Sequence, residues 1–347
     1  MLYVTTRIKQ DAFTASRALS ENRGPGGGFF VPMKLPRLDD AVISGLGEKS
    51  FSRNVADVIN LFFATKLDSW AVEFSIGRYP VKLVNVTGRT VIAETWHNPA
   101  WRFTRLVNGV EKAIRQSDQI HLVPSDWLVI AARIAVLFGI FGQLMQNHSV
   151  SADRPMDVAV PSGNFSMAAA AWYAREMGLP IANVVVCCNE NAGVWNLLSK
   201  GELRTDAVAV ATDTPDCDYT VPPDLERLVF ATLGHEQTQR FCESVRLGRT
   251  YYLEPHQTAV LRKGIHAAVV SQRRLRSSVP NLYRTCGYLA DPYTALAYSG
   301  LMDYRAREGE SRPALILSDD SPVFYQDFLS HCMGISNEEL QLRLEKR

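Results

Sequence analysis

No charge of one sign dominates this chain of 347 residues: 37 lysines and arginines face 36 aspartates and glutamates. Nucleic-acid binders usually carry a clear basic excess, so this balance argues against that class of partner. An uninterrupted apolar run of eighteen residues is also lacking, which speaks against a membrane-spanning helix. The opening Met1-Leu2-Tyr3-Val4-Thr5-Thr6-Arg7 lacks the basic-then-apolar order of a secretory signal. The six cysteines are scattered, only Cys187 and Cys188 are adjacent, and no C-x-x-C pair occurs. That disfavours a zinc site or a disulfide framework and suits a reducing cytoplasm. Internal repeats, coiled-coil heptads and low-complexity tracts are missing as well. What is left is a globular composition, 46% hydrophobic and 21% charged, long enough for two domains or one large α/β domain.

Local patterns give the chain its expected organisation. Gly24-Pro25-Gly26-Gly27-Gly28-Phe29-Phe30-Val31-Pro32 reads as a turn entering a short strand, since no G-K-S/T follows to make a phosphate cradle. Apolar residues at helical spacing predict a helix over 51–72. The β-branched alternation of 81–96 predicts two strands around Thr87-Gly88. Helices are expected over 104–116 and 126–146, the second so apolar that it must be buried.

The clearest unit follows. Asp157 to Pro161 reads as a buried strand, Ser162-Gly163-Asn164-Phe165-Ser166 as a turn, and Met167 to Met177 as an Ala-rich helix. Gly178-Leu179-Pro180 stops that helix, and Asn183 to Cys188 forms the next strand, so a βαβ crossover and a parallel sheet are expected. Further α/β structure is expected over 224–272, with a strand at Ala314 to Leu317. A turn between a strand and a helix N-terminus favours an anion, and Ser162, Gly163, Asn164 and Ser166 are the candidate binders; capping of the helix is the competing role.

Four segments carry a resemblance. Val160-Pro161-Ser162-Gly163-Asn164-Phe165 with Gly178-Leu179-Pro180 resembles the phosphate-loop segment of threonine synthase. Gly28-Phe29-Phe30-Val31-Pro32 with Leu35-Pro36 resembles that family's N-terminal G-L-F-x-P…L-P element. Glu94 to Arg105 resembles its F-H-G-P-T-x-x-F-K-D segment, and Gly287 to Tyr298 its G-Y-x-x-E-P-H-x-A-x-A-Y. The resemblance implies an α/β fold with a parallel-sheet core and flanking helices, that of the tryptophan-synthase-β, fold type II pyridoxal-phosphate enzymes. It implies three regions: 1–103 with the start of the cleft, 104–150 with helices in place of most of the family's small domain, and 151–347 as the main α/β domain.

The departures bear on chemistry. Where the family places its Schiff-base lysine, this chain has Thr104, and a hydroxyl cannot form an aldimine. Only nine lysines occur in the whole chain. At the family's N-S-x-N-x-x-R entry to the next helix stand Asp126 and Val129, and after the last strand comes Ser318-Asp319-Asp320-Ser321-Pro322. No pyridoxal phosphate is therefore expected as a Schiff base.

The resemblance then leaves a vacated cleft to be filled. His97 and Asp319 are the candidate acid–base residues, with Thr104 beside them; Trp96, Trp101, Arg102, Tyr293 and Phe324 are candidates to line the pocket. One reading is a repurposed enzyme that needs no pyridoxal phosphate and performs an elimination, cyclisation or isomerisation on a small-molecule substrate, an anionic one among the alternatives. The other is a non-catalytic descendant serving as a binding or scaffold partner. Uncovering the apolar helix 126–146 would demand either homodimerisation or closure by the segment from Arg105 to Pro124.

Overall fold

A computed structural model describes residues 1–9, 12–78, 81–87, 89–96, 103–118, 126–151, 153–309 and 312–345, with 103–107, 116–118 and 126 by their backbone alone. The chain opens with β1 (Leu2–Thr5), β2 (Phe13–Thr14), α1 (Ala15–Ser20) and β3 (Phe30–Pro32), then α2 (Asp40–Ser44), α3 (Phe51–Phe63) and α4 (Ser69–Ile76). Next come β4 (Lys82–Asn85), β5 (Thr90–Glu94), α5 (Phe103–Asp118), α6 (Asp126–Gln146), β6 (Met156–Pro161), α7 (Ser166–Glu176) and β7 (Ile181–Cys188). The second half runs α8 (Gly193–Lys200), β8 (Glu202–Leu203), α9 (Leu225–Leu247), β9 (Tyr251–Tyr252), α10 (Pro255–Leu261) and β10 (Ile265–Val269). It ends with α11 (Gln272–Cys286), α12 (Pro292–Glu308), β11 (Ala314–Ser318), α13 (Gln326–Met333) and α14 (Asn337–Glu345).

Six strands form the central sheet in the order β10-β7-β6-β11-β5-β4, parallel except for the edge strand β4. Residues alternate across it. Val158, Val160, Val184, Val186, Leu315 and Leu317 enter one apolar cluster with α3, α6 and α7, while Ala159, Val185, Ile316 and Ile92 enter another with α11 and α12. A sheet covered on both faces reads as nearly continuous apolar runs, as these strands do. The expected βαβ crossover of β6, α7 and β7 is present, and β11 slots between β6 and β5 from the far end of the chain. Ligand crevices in such sheets open at the carboxyl ends of strands where the winding reverses.

One expected helix is two. The pattern over 51–72 breaks after Phe63, where Ala64 adopts a left-handed backbone (φ 54°). Asn60 fixes the break: its Oδ1 accepts from Thr65 Oγ1 and the Leu67 amide, both at 2.7 Å, and its Nδ2 donates to the Leu67 carbonyl at 2.9 Å. Asp68 then caps α4. A side chain that satisfies a turn's backbone competes successfully with helix continuation.

α6 is long and apolar enough to cross a membrane, yet 78% of its apolar window is buried inside the protein, against α3, α5 and α7. Its cover comes from within the chain. At its start Trp127 packs edge-on to Tyr3, Phe62 and Tyr173, with ring centroids 5.5–5.9 Å apart, and its Nε1 donates to Tyr3 Oη at 3.1 Å. Tyr3 passes the link on by donating to the Phe62 carbonyl. Trp127 thus ties the small N-terminal sheet to the core. Trp127→Ala is expected to lower unfolding free energy by about 3–5 kcal/mol, through lost burial plus a cavity. Urea denaturation checks it; a loss below about 1 kcal/mol would mean the site collapses without cost.

Candidate functional site

A cavity of about 400 Å³ opens at the carboxyl ends of β6 and β11. Its wall is assembled from five places in the chain. The β6–α7 turn supplies Pro161, Ser162, Gly163, Asn164, Ser166 and Met167. α6 supplies Val129 and Arg133, the loop before α9 supplies Asp216, Cys217 and Tyr219, α12 supplies Tyr293, and the end of β11 supplies Leu317, Asp319 and Asp320.

The turn is tight because the strand must reverse directly into a helix. Gly163 (φ 44°) and the fully buried Phe165 (φ 73°) both take left-handed backbone, a conformation costly for phenylalanine and typical of constrained sites. Its polar groups are turned largely on the protein itself. The Ser162 amide donates to the Cys187 carbonyl (2.9 Å), Gly163 N–H to Cys217 Sγ (3.3 Å) and the Phe165 amide to the Ser162 carbonyl (2.9 Å). Asn164 Oδ1 accepts from the Ser166 amide at 3.0 Å, at the first residue of α7. The Asn164 carbonyl in turn accepts from the Asp224 amide at 3.1 Å.

Opposite the turn sits an ion pair. Arg133 Nη1 donates to Asp319 Oδ2 at 2.9 Å, and Asp319 Oδ1 accepts from Thr95 Oγ1 at 3.1 Å. Both charged side chains are mostly buried. Asp320 accepts from Tyr325 Oη at 2.5 Å. Burial raises the phenols of Tyr293 and Tyr325 well above their ordinary value, with the adjacent Asp320 carboxylate adding to Tyr325, so both stay neutral and hydrogen-bonding.

Behind the cavity, Asp291 caps α12 by accepting from the Tyr293 and Thr294 amides at 2.9 and 3.0 Å, from Thr294 Oγ1, and from Ser318 Oγ at 3.3 Å. Burial pushes its carboxyl up to about 6, against these hydrogen bonds and with help from the charge on Asp320. A carboxyl whose pKa is higher folded than unfolded stabilises the fold below its unfolded value near 4, and that contribution is lost as pH rises through 6. Relative to Asp291→Asn, the natural chain should therefore lose up to about 3 kcal/mol between pH 4 and pH 7. Urea midpoints of both proteins at the two pH values measure this; a pH-independent difference would exclude a raised carboxyl.

The structure brings Ser162, Gly163, Asn164, Ser166, Tyr293 and Asp319 to one cavity. Trp96 departs from expectation: it is buried, with Nε1 donating to Ser318 Oγ at 3.1 Å, and supports the end of β11 from behind instead of lining the space. Phe324 is 40% exposed and also stands outside the lining. Met167, in the first turn of α7, also forms part of the wall. His97, Trp101 and Arg102 lie outside the described residues, as does the side chain of Thr104 near the start of α5.

Arg133, Asp216, Cys217 and Tyr219 are among the lining residues that the sequence reading did not single out. Arg133 had a visible signal: it is the one charged residue between Trp127 and Gln146, and a lone charge in a buried apolar helix needs a partner. Asp216, Cys217 and Tyr219 had none, since they sit in a loop placed by tertiary contacts. Asn189, Asn191 and Thr212 hold that loop through Asp218, which accepts from Asn189 Nδ2 and Thr212 Oγ1 at 2.7 Å.

A largely parallel sheet with a tight strand–turn–helix at the cavity is the architecture of fold type II pyridoxal-phosphate enzymes, and solved threonine synthases share this fold. The pyridoxal-phosphate-bound threonine synthase from Brucella melitensis superposes with a TM-score of 0.82 at 17% identity, covering 96% of this chain and 92% of its own. The yeast enzyme gives 0.81 at 19% identity, covering 96% and 90%. In sequence, too, the chain is similar to threonine synthases. Residues 2–76 match the family model described as threonine synthase N terminus. Threonine synthase from Pseudomonas aeruginosa is 26% identical over 204 residues, 58% of this chain and 42% of that protein. Human threonine synthase-like 1 is 27% identical over 177 residues, 50% of this chain and 24% of its own. The chain thus spans less than half the length of these curated relatives.

Eight of the nine lysines are among the described residues, and none of the eight lines the cavity; the ninth is Lys346.

Proposed function

We propose that this threonine synthase-like chain is an enzyme of small-molecule biosynthesis that acts in the cleft of the fold without a covalently bound pyridoxal phosphate. The observation that carries this reading is the exchange at the cavity wall: no lysine among the described lining residues, and a buried Arg133–Asp319 pair facing the open space. Asp319 accepts one hydrogen bond on each oxygen, and an ionised carboxylate has room for more, so it can still accept a proton or a donor from a ligand. Arg133 holds that carboxylate in place. Tyr293 supplies a neutral hydroxyl. A base and a positioned hydroxyl suit elimination, cyclisation or isomerisation, in which a proton moves between neighbouring atoms of one substrate. Six free cysteines suit a reducing compartment such as the cytoplasm.

The test is spectroscopic and covalent. The purified chain incubated with pyridoxal 5′-phosphate should show no aldimine band, and borohydride should fix no adduct on any lysine in the cavity. A visible band with a reduced adduct on such a lysine would overturn the reading.

One feature favours the scaffold reading instead. Trp70 and Phe74, one turn apart on α4, are 71% and 65% exposed and stack with ring centroids 5.6 Å apart. Exposed aromatic pairs of this size are common at protein contacts. If Trp70→Ser/Phe74→Ser abolished a self-association seen by light scattering while the cavity bound nothing, the scaffold role would be preferred.

A further inference from the structure

We propose that the segment Ala207-Val208-Ala209-Val210-Ala211 is a contact surface for a second copy of this chain, which adds to it as an antiparallel strand. The inference stands apart from the cavity and holds whether or not that cavity turns over a substrate.

The segment is an apolar run laid open to solvent. Val208 is 89% exposed and Val210 51%, and Ala209 and Ala211 are exposed as well. The backbone over 207–212 contains no turn or bend, so the run is extended. A single exposed valine is ordinary, whereas a continuous apolar run on an extended backbone is a surface that pairs.

Within the run the backbone is held at one residue. The Val210 amide donates to Asn191 Oδ1, and the Val210 carbonyl accepts from Asn191 Nδ2, both at 2.8 Å. Asn191 is itself buried and tied to Asn189 and Asp218, so its grip is fixed. On an extended backbone the amide and carbonyl of one residue point to the same side, and those of the next residue to the opposite side. With Val210 turned towards Asn191, the amides and carbonyls of Ala207, Ala209 and Ala211 point away from it. Among the described residues, none of these backbone groups has a hydrogen-bond partner.

That free edge is its own complement. A two-fold axis through Ala209 sets Ala209 opposite Ala209 of the second copy, and Ala207 opposite Ala211. Each facing pair then exchanges both of its N–H to C=O bonds. In the same register Val208 lies opposite Val210 of the copy, in the closer type of pairing where β-branched side chains meet. No charge stands within the paired stretch. The nearest, Asp206, is paired with Arg204 of its own chain at 3.2 Å and falls opposite Thr212 of the copy. A foreign strand would have to match this edge in register, apolar face and charge, whereas a second copy matches it by symmetry. Five residues bury too little for a permanent dimer, so the association depends on concentration.

Sedimentation velocity of the full chain over a dilution series should show a monomer–dimer equilibrium. Val208→Lys places a charge in the apolar face, and Ala209→Pro removes the central amide; each should weaken association about tenfold. Both positions are exposed, so both variants should melt at the Tm of the natural chain. Amide exchange read residue by residue gives a second measure. Raising the protein concentration should increase protection at Ala207, Ala209 and Ala211 but not at Val208. A chain that stays monomeric up to its solubility limit, a dimer untouched by either substitution, or protection without that alternation would overturn the proposal. A dimer lost in Trp70→Ser/Phe74→Ser and kept in Val208→Lys would place the contact on α4 and overturn it as well.

Discussion

Asp319→Asn should reduce turnover by about 10²–10⁴-fold while leaving the fold intact, the range general acid–base groups contribute. The substitution is nearly isosteric. The carboxamide oxygen it introduces could still accept from Thr95 Oγ1, as Asp319 does at 3.1 Å, so the wall keeps its shape. What is lost is the negative charge opposite Arg133 and the capacity to take up a proton. Turnover can be followed before the substrate is known, by incubating the chain with a metabolite extract and recording which masses fall and which rise. The same masses should be unmoved by the variant, and thermal melting should show it folded. Equal depletion by both proteins would remove Asp319 from the chemistry. If neither protein changed any mass, the scaffold reading would gain.

Arg133→Met complements this test. It removes the cation but keeps an apolar stem in a helix that is otherwise apolar. Asp319 then remains mostly buried without its counter-charge, so Arg133→Met should lower both stability and turnover. Turnover unchanged in a folded variant would make Arg133 a structural residue only.

The fold was legible in the sequence where local and tertiary demands coincide. The β-branched run at 157–161, the turn glycine and the Ala-rich helix after it form one unit whose every residue favours the same structure, and the βαβ crossover appears there with nearly the expected bounds. The break after Phe63 was not legible by periodicity, because the apolar spacing continues through it and a single carboxamide, Asn60, ends the helix. The site divides in the same way. Ser162, Gly163 and Asn164 are contiguous, so their convergence is a local fact. Arg133, Asp216 and Asp319 meet from an interior helix, a surface loop and the end of a strand, and no sequence spacing encodes that meeting. Trp96 was misplaced for a related reason: an indole beside a cleft can face into it or stand behind it, and the Ser318 hydroxyl that decides the matter is 222 residues away.

Asp224→Ala is expected to lower stability by about 3–5 kcal/mol, because it strands a charge that has no exposure to water. Arg227 is fully buried. Its Nε donates to Asp224 Oδ1 at 2.7 Å and its Nη1 to the Phe30 carbonyl at 2.5 Å. The guanidinium lies 4.2 Å from the centre of the Phe29 ring and 5.7 Å from that of Trp127. Those rings and one carbonyl remain after the truncation, and none of them carries a counter-charge. The cation–π contribution of roughly 2 kcal/mol or less per ring does not replace a paired carboxylate in a dry site. A second substitution separates the missing pair from the missing side chain. Arg227→Met in the Asp224→Ala background removes the stranded charge and fills much of its volume, so it should recover part of the loss. The damage should also reach the cavity. The Asp224 amide donates to the Asn164 carbonyl, so loosening the start of α9 frees one anchor of the β6–α7 turn. Urea unfolding of the three proteins, with hydrogen exchange of the Phe165 amide measured on those that fold, tests both steps. If the double variant proved less stable than Asp224→Ala, the stranded charge would not be the cause. If that amide exchanged no faster than in the natural chain, the link from α9 to the cavity would be broken.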